Sequence, residues 1–184
     1  RVDLDMNFDF QPYIIGETLV VRPLEADDLG ALYQAASDPL VWAGHPAKDR
    51  HQVEVFKPYF NMLLETGATV ALLEKHTGKI IGCSRYYVAP TPGQEISIGY
   101  TFLERGYWGG TVNAELKSLM MGHVFKSRAE VWFHIDPTNI RSQKATAKLG
   151  AVSMGEEELD LGTGPARWMC FRLLKSDWET KETT

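Results

Sequence analysis

The order in which strand-like and helix-like stretches alternate leaves this chain few architectures. Seven short runs rich in β-branched and aromatic residues interleave with four stretches of helical period, in the order β-α-α-β-β-β-α-β-α-β-β. Residues 18–22 form the first run and Pro23 ends it. Asp27 and Asp28 then open a helix carrying Leu29, Leu32, Tyr33 and Ala36, which Ser37-Asp38-Pro39 stops. A second helix is expected over about 51–65, with Val53, Phe56, Phe60 and Leu63 inward and Pro58 kinking or dividing it. Residues 69–74 and 80–88 around His76-Thr77-Gly78-Lys79 read as a hairpin, and 95–103 as the next strand. A long helix follows about Val112, then a strand at 130–135, a helix at 139–149 closed by Gly150, and strands at about 151–160 and 166–174. That order describes a mixed α+β domain, with a central sheet of about seven strands and helices on both faces. No repeat or linker divides the 184 residues, so one domain is expected, with a core over about 17–178 and flexible ends.

Charge and composition exclude several classes of function. The formal net charge is −5 and no Lys/Arg cluster stands out, which argues against a nucleic-acid partner. No stretch approaches the ~20 apolar residues that cross a bilayer. The start, with Asp3, Asp5, Phe8, Asp9 and Phe10, does not read as a secretory leader, so a cytoplasmic setting is expected. His45, His51, His76, His123 and His134 show no ligand spacing, and no metal is expected. Cys83 and Cys170 lie in apolar strand runs and read as buried, reduced thiols.

The stretch from Ile96 to Ala151 carries the chemistry. A strand ends in Glu104-Arg105-Gly106-Tyr107-Trp108-Gly109-Gly110-Thr111, and a helix begins at once. Unpaired amides and the helix dipole favour an anion at such a helix start, and glycines let the backbone approach it. The pattern is neither the dinucleotide fingerprint nor a P-loop. Downstream, Asn139 is placed to cap the helix at the N–H of Arg141 or Ser142. Ser142, Ala145 and Leu149 share one helical face; Arg141, Lys144 and Lys148 share another, over a phosphate or facing solvent.

Together these segments resemble the two core motifs of the GNAT acetyltransferases. The likeness rests on Ile98-Gly99-Tyr100-Thr101-Phe102, Tyr107-Trp108-Gly109-Gly110, Asn113-Ala114-Glu115, Asn139-Ile140-Arg141-Ser142 and Lys148-Leu149-Gly150-Ala151. It is closest to the branch of ribosomal-protein N-terminal acetyltransferases RimJ and RimL, and it spans roughly residues 17–178. The resemblance implies a splay between two central parallel strands that holds acetyl-CoA. Phe102 and Leu103 would pair with the pantetheine arm, and the amides of Trp108, Gly109, Gly110, Thr111, Val112 and Asn113 would cradle the pyrophosphate. Asn139, with Arg141 and Lys148 near it, would complete the cofactor site. One departure stands out: the family's phosphate-loop glycine positions fall on Thr111 and Asn113, or on Trp108 when counted from Arg105.

The resemblance further implies direct attack of a primary amine on the acetyl thioester. The amine would belong to a protein N-terminus or a small molecule. Ser142 takes the acid position of the RimJ/RimL pattern, with Tyr107 or Tyr100 as substitutes. Glu95 and the acidic run Glu156-Glu157-Glu158 with Asp160 are candidate bases. The loop from Gly44 to Arg50 lies where the family forms its acceptor wall, which makes His45 and Asp49 candidate substrate contacts. A homodimer is also compatible with the family. The alternative function is a CoA-binding regulatory module without turnover.

Overall fold

The computed structural model describes residues 8–182, so Asp3 and Asp5 lie outside the described residues. Eight strands form one sheet: β1 (Ile14–Ile15), β2 (Leu19–Pro23), β3 (Thr69–Glu74), β4 (Ile80–Tyr87), β5 (Ser97–Leu103), β6 (Glu130–Ile135), β7 (Val152–Asp160) and β8 (Pro165–Leu174). The helices are α1 (Leu29–Ala36), α2 (Val53–Glu65), α3 (Thr111–Phe125), α4 (Ile140–Lys148) and α5 (Lys175–Glu182). The sheet order is β1-β2-β3-β4-β5-β6-β8-β7, antiparallel everywhere except between β5 and β6. The strand beyond the expected seven is β1, whose Ile14 and Ile15 pair with Val21 and Val20. Two residues are too short to show a period, so only the pairing reveals it.

Alternation along the strands fills a core on each face of the sheet. Val70, Leu72 and Ile81 join Leu116, Met120, Met121 and Val124 of α3. Ala71 and Cys83 face Leu32 of α1 and Phe56, Phe60 and Leu63 of α2. Both thiols are buried and free, and burial raises Cys83 to about 12 and Cys170 to about 11.

Three expectations need correction. α2 runs unbroken through Pro58, because that ring lies on the exposed face, where the carbonyl it leaves unpaired can meet water. β5 begins at Ser97 rather than Glu95. In α4 the inward line runs through Ser142 and the buried Thr146, whereas Ala145 is exposed. An i,i+4 pair stays closer to one helical face than an i,i+3 pair, and the contact with β6 selects the former.

Two local irregularities open the middle of the sheet. β5 and β6 pair at a single register point, Ser97 with Trp132, where the Trp132 N–H donates to the Ile96 carbonyl at 3.0 Å. Beyond it the two parallel strands separate. On the other side of β5, Cys83 pairs with Phe102 and Arg85 with Gly99, so Tyr100 and Thr101 together face Ser84. This is a β-bulge, and Tyr100 takes φ 56°, a left-handed conformation rare for a bulky residue. Tyr100 and Thr101 therefore stand outside the β4 ladder, beside the opening.

Candidate active site

A cavity of about 210 Å³ occupies the splay. β5 contributes Gly99, Tyr100, Thr101 and Phe102 to it; β6 and its exit contribute Phe133, His134 and Asp136. α4 and its N-cap add Asn139, Ser142 and Thr146, while the segment before α2 adds Trp42, His45 and Arg50. Residues as far apart in sequence as Trp42 and Thr146 thus share one wall, which only the meeting of β5, β6, α4 and the segment before α2 can achieve.

Local chemistry fixes α4 at this wall. The Asn139 side-chain carbonyl accepts from the Ser142 N–H at 3.2 Å, capping the helix. Asp136 Oδ1 accepts from the N–H and hydroxyl of Thr138, at 2.8 and 2.6 Å, which holds the turn between β6 and α4. Asp136 is the single carboxylate lining the cavity among the described residues. His134 is buried, with Nδ1 2.8 Å from the Tyr87 hydroxyl and Nε2 2.8 Å from the Gln94 side-chain oxygen. Because Gln94 Oε1 can only accept, the ring proton sits on Nε2 and the Tyr87 hydroxyl donates to Nδ1. Burial lowers the His134 pKa to about 4, so the ring is neutral near pH 7.

His45 obeys the same logic. Its Nδ1 accepts from the Ala47 N–H at 3.0 Å, which leaves the neutral ring's proton on Nε2. Burial, with the nearby Arg50 charge, lowers its pKa to about 4. The Arg50 guanidinium lies 3.8 Å from the Tyr59 ring centroid and 5.5 Å from that of Trp42.

A second feature lies at the start of α3. Gly110 is its N-cap, with extended backbone and no capping side chain, and Gly109 has φ +71°. A Cβ at either glycine meets nothing within 4 Å. The first-turn amides have no intrahelical acceptor, so an open cradle of donors faces outward at the positive end of the dipole. That is what a pyrophosphate requires. Trp108 braces the cradle: its indole N–H donates to the Leu103 carbonyl at 2.9 Å, and the Arg141 guanidinium lies 4.1 Å over its ring. The Leu103 carbonyl is thereby occupied.

The expected residues divide by position. Ser142, His45, Asn139 and Phe102 line the cavity. Trp108 through Asn113 and Arg141 belong to the neighbouring cradle, and Lys148 is exposed near the end of α4. Three others stand apart from the cavity. Glu95 precedes β5 and pairs with Arg128 at 3.0 Å. The Tyr107 hydroxyl donates to Glu74 Oε2 at 3.2 Å, under the Lys79 ammonium. Asp49 is exposed, and its carbonyl accepts from the Gln52 N–H. Of the acidic run, Glu156 pairs with Arg167.

Sequence reasoning missed Arg50, Asp136, His134 and Lys117, all of which line the cavity. Lys117 left a readable signal. On a 3.6-residue period it falls between Met121 and Val124, both buried, so a charge interrupts the apolar face of α3. It makes no hydrogen bond or ion pair among the described residues, and burial lowers its pKa.

Comparison with known proteins agrees with this geometry. The family model described as "Acetyltransferase (GNAT) domain" matches residues 18–152. The fold is similar to that of a GCN5-related N-acetyltransferase from Brucella melitensis, at TM-score 0.78 and 18% identity, covering 94% of this chain and 83% of that one. It is also similar to a GNAT-family acetyltransferase from Bacillus anthracis, at TM-score 0.69 and 16% identity, covering 90% and 99%. A ribosomal-protein-S5-alanine acetyltransferase from Vibrio fischeri aligns at TM-score 0.62 and 19% identity, covering 91% and 99%. At these identities the likeness is one of fold. No curated protein matches the chain.

Proposed function

The chain belongs to the GNAT acetyltransferase family, and from that premise we propose that it moves an acetyl group from acetyl-CoA to a primary amine by direct attack. The observation that carries this reading is the joining of two sites. An uncapped helix start at Gly110 lies beside a splay whose walls hold a carboxylate, Asp136, and a hydroxyl, Ser142. When bound, acetyl-CoA supplies the thioester carbonyl that the amine attacks.

The protein's own groups divide the remaining work. The amides of Thr111, Val112 and Asn113 hold the pyrophosphate, with Gly109 and Gly110 giving it access and Arg141 nearby. The bulged backbone at Tyr100 and Thr101 supplies the N–H donor that a developing carbonyl anion needs. Asp136 takes the proton from the acceptor ammonium, directly or through water. It replaces Glu95 in that role, because Glu95 is paired with Arg128 outside the cavity. The Ser142 hydroxyl donates toward the departing sulfur. His45, neutral and carrying its proton on Nε2, orients the substrate as a donor, while His134 commits both ring nitrogens to Tyr87 and Gln94 and so holds the Tyr87 side of the wall in place. The likeness to ribosomal-protein acetyltransferases makes a protein N-terminus one class of acceptor to test.

Release of CoA thiol from acetyl-CoA over a broad amine panel, beside calorimetric acetyl-CoA affinity, tests the proposal. Amine-dependent release well above hydrolysis is the expected result. Tight binding with release at background for every amine would overturn it, and would identify a CoA-binding regulatory module instead.

A further inference from the structure

Arg50 is a cation without an acid. Among the described residues Arg85, Arg141 and Arg172 also lack a carboxylate partner but lie outside the cavity, whereas Arg22, Arg105, Arg128 and Arg167 each pair with one. Arg50 does not, although acidic residues outnumber basic ones by 24 to 19 in this chain. It lies in the cavity wall with the Tyr59 ring at 3.8 Å and the Trp42 ring at 5.5 Å. Packing against an aromatic face fixes the plane of a guanidinium while leaving its N–H edge free to bond. An edge held in this way suits a planar oxyanion, which it can receive with two parallel hydrogen bonds.

The surroundings point to the same ligand chemistry. His45 presents an Nε2 proton, because its Nδ1 is committed to the Ala47 N–H. Lys117 adds a side-chain amine with no partner among the described residues, and Asp136 is the one carboxylate present. An amine alone does not need this surplus of donors. A molecule with both an ammonium and a carboxylate uses all of them, the ammonium toward Asp136 and the carboxylate toward Arg50. The anion in question is not the cofactor's pyrophosphate, since none of the residues 108–113 lines this cavity.

We infer that the acceptor is a small amine bearing a carboxylate, and that Arg50 is its specificity-determining contact. The inference rests on the acyltransferase reading and narrows it. A charged bidentate contact of this kind is worth on the order of tenfold to a hundredfold in discrimination.

Matched pairs test it: α-, β- and γ-amino acids against their primary amides, together with peptides that have neutral N-terminal residues, assayed by thiol release. For at least one pair, kcat/KM should favour the acid over the amide by about tenfold or more. Arg50→Gln should reduce that ratio at least tenfold, and Arg50→Lys should restore part of it. A ratio near one in the wild type overturns the inference, as does a ratio that Arg50→Gln leaves unchanged or a peptide that outperforms every acid. In each of those cases the acyltransferase reading survives, because amines are still turned over. If no amine is acetylated that reading fails, and calorimetric titration with the same acids and amides decides the fate of Arg50. Acid-selective binding that Arg50→Gln abolishes sustains an anion site; its absence overturns one.

Discussion

Placing a carboxylate at Gly110 separates the two roles of the α3 start, because it should strengthen the fold and weaken the ligand site at once. Gly110 is the N-cap, its backbone is extended, and a Cβ there meets nothing within 4 Å. Asp at this position therefore fits without strain and can accept from the first-turn amides. Replacing a glycine cap with aspartate is worth a few tenths of a kcal/mol in favour of the folded state. The same carboxylate occupies the donors proposed for the pyrophosphate and brings like charges together. At about 5 Å and an effective dielectric of roughly 20 to 40, each unit charge costs about 2 to 3 kcal/mol. Acetyl-CoA affinity should thus fall by about 30- to 200-fold, with the melting temperature equal to the wild type's or slightly higher. Thermal unfolding and calorimetry on the same preparation read both quantities. A stabilised Gly110→Asp protein with unchanged affinity would falsify the assignment of this helix start to the cofactor.

Ser142→Ala should lower turnover up to about 100-fold while acetyl-CoA affinity stays constant, since the hydroxyl is proposed to act mainly in the transition state; kcat within twofold of wild type removes Ser142 from the chemistry. Asp136→Asn should lower kcat/KM by about 100-fold or more while acetyl-CoA affinity stays constant, and turnover within twofold of wild type would assign the base elsewhere. Acid should destabilise the fold before the carboxylates titrate, because His45 and His134 are held to about 4 by burial, from 6.5. Between those values the unfolded chain binds more protons than the folded one, so stability is complete above about 6.5 and declines as pH falls toward 4. Each histidine contributes a slope of at most about 1.4 kcal/mol per pH unit. Urea unfolding should show the decline, and a flat profile between pH 4.5 and 6 would contradict the assigned neutral state of both rings.

Local physics along the chain determined the order of elements, the hairpin at His76–Lys79, the Asn139 cap and the glycine-bearing start of α3. Each is settled within a few residues by a period, a cap or a backbone preference, so each leaves a trace in the sequence. The two-residue β1 leaves none, because pairing with β2 is its whole definition. The site divides in the same way. Ser142 was legible because it takes the acid position of the family pattern the motifs resemble, and His45 because its loop lies where that family forms its acceptor wall. Arg50 and Asp136 were not: an arginine in a polar loop and an aspartate before a proline look like ordinary surface and turn residues. What distinguishes them is the cavity they share, where Arg50 stacks on the Tyr59 ring and Asp136 comes together with β5 and the segment before α2. Glu95 and Tyr107 show the reverse, since their types suited the chemistry but Arg128 and Glu74 hold them outside the cavity. Side-chain type and local period decide which groups are available. Which of them share one desolvated space depends on where β5 and β6 part and where α2 and α4 cross them, and those are contacts between segments that the sequence keeps apart.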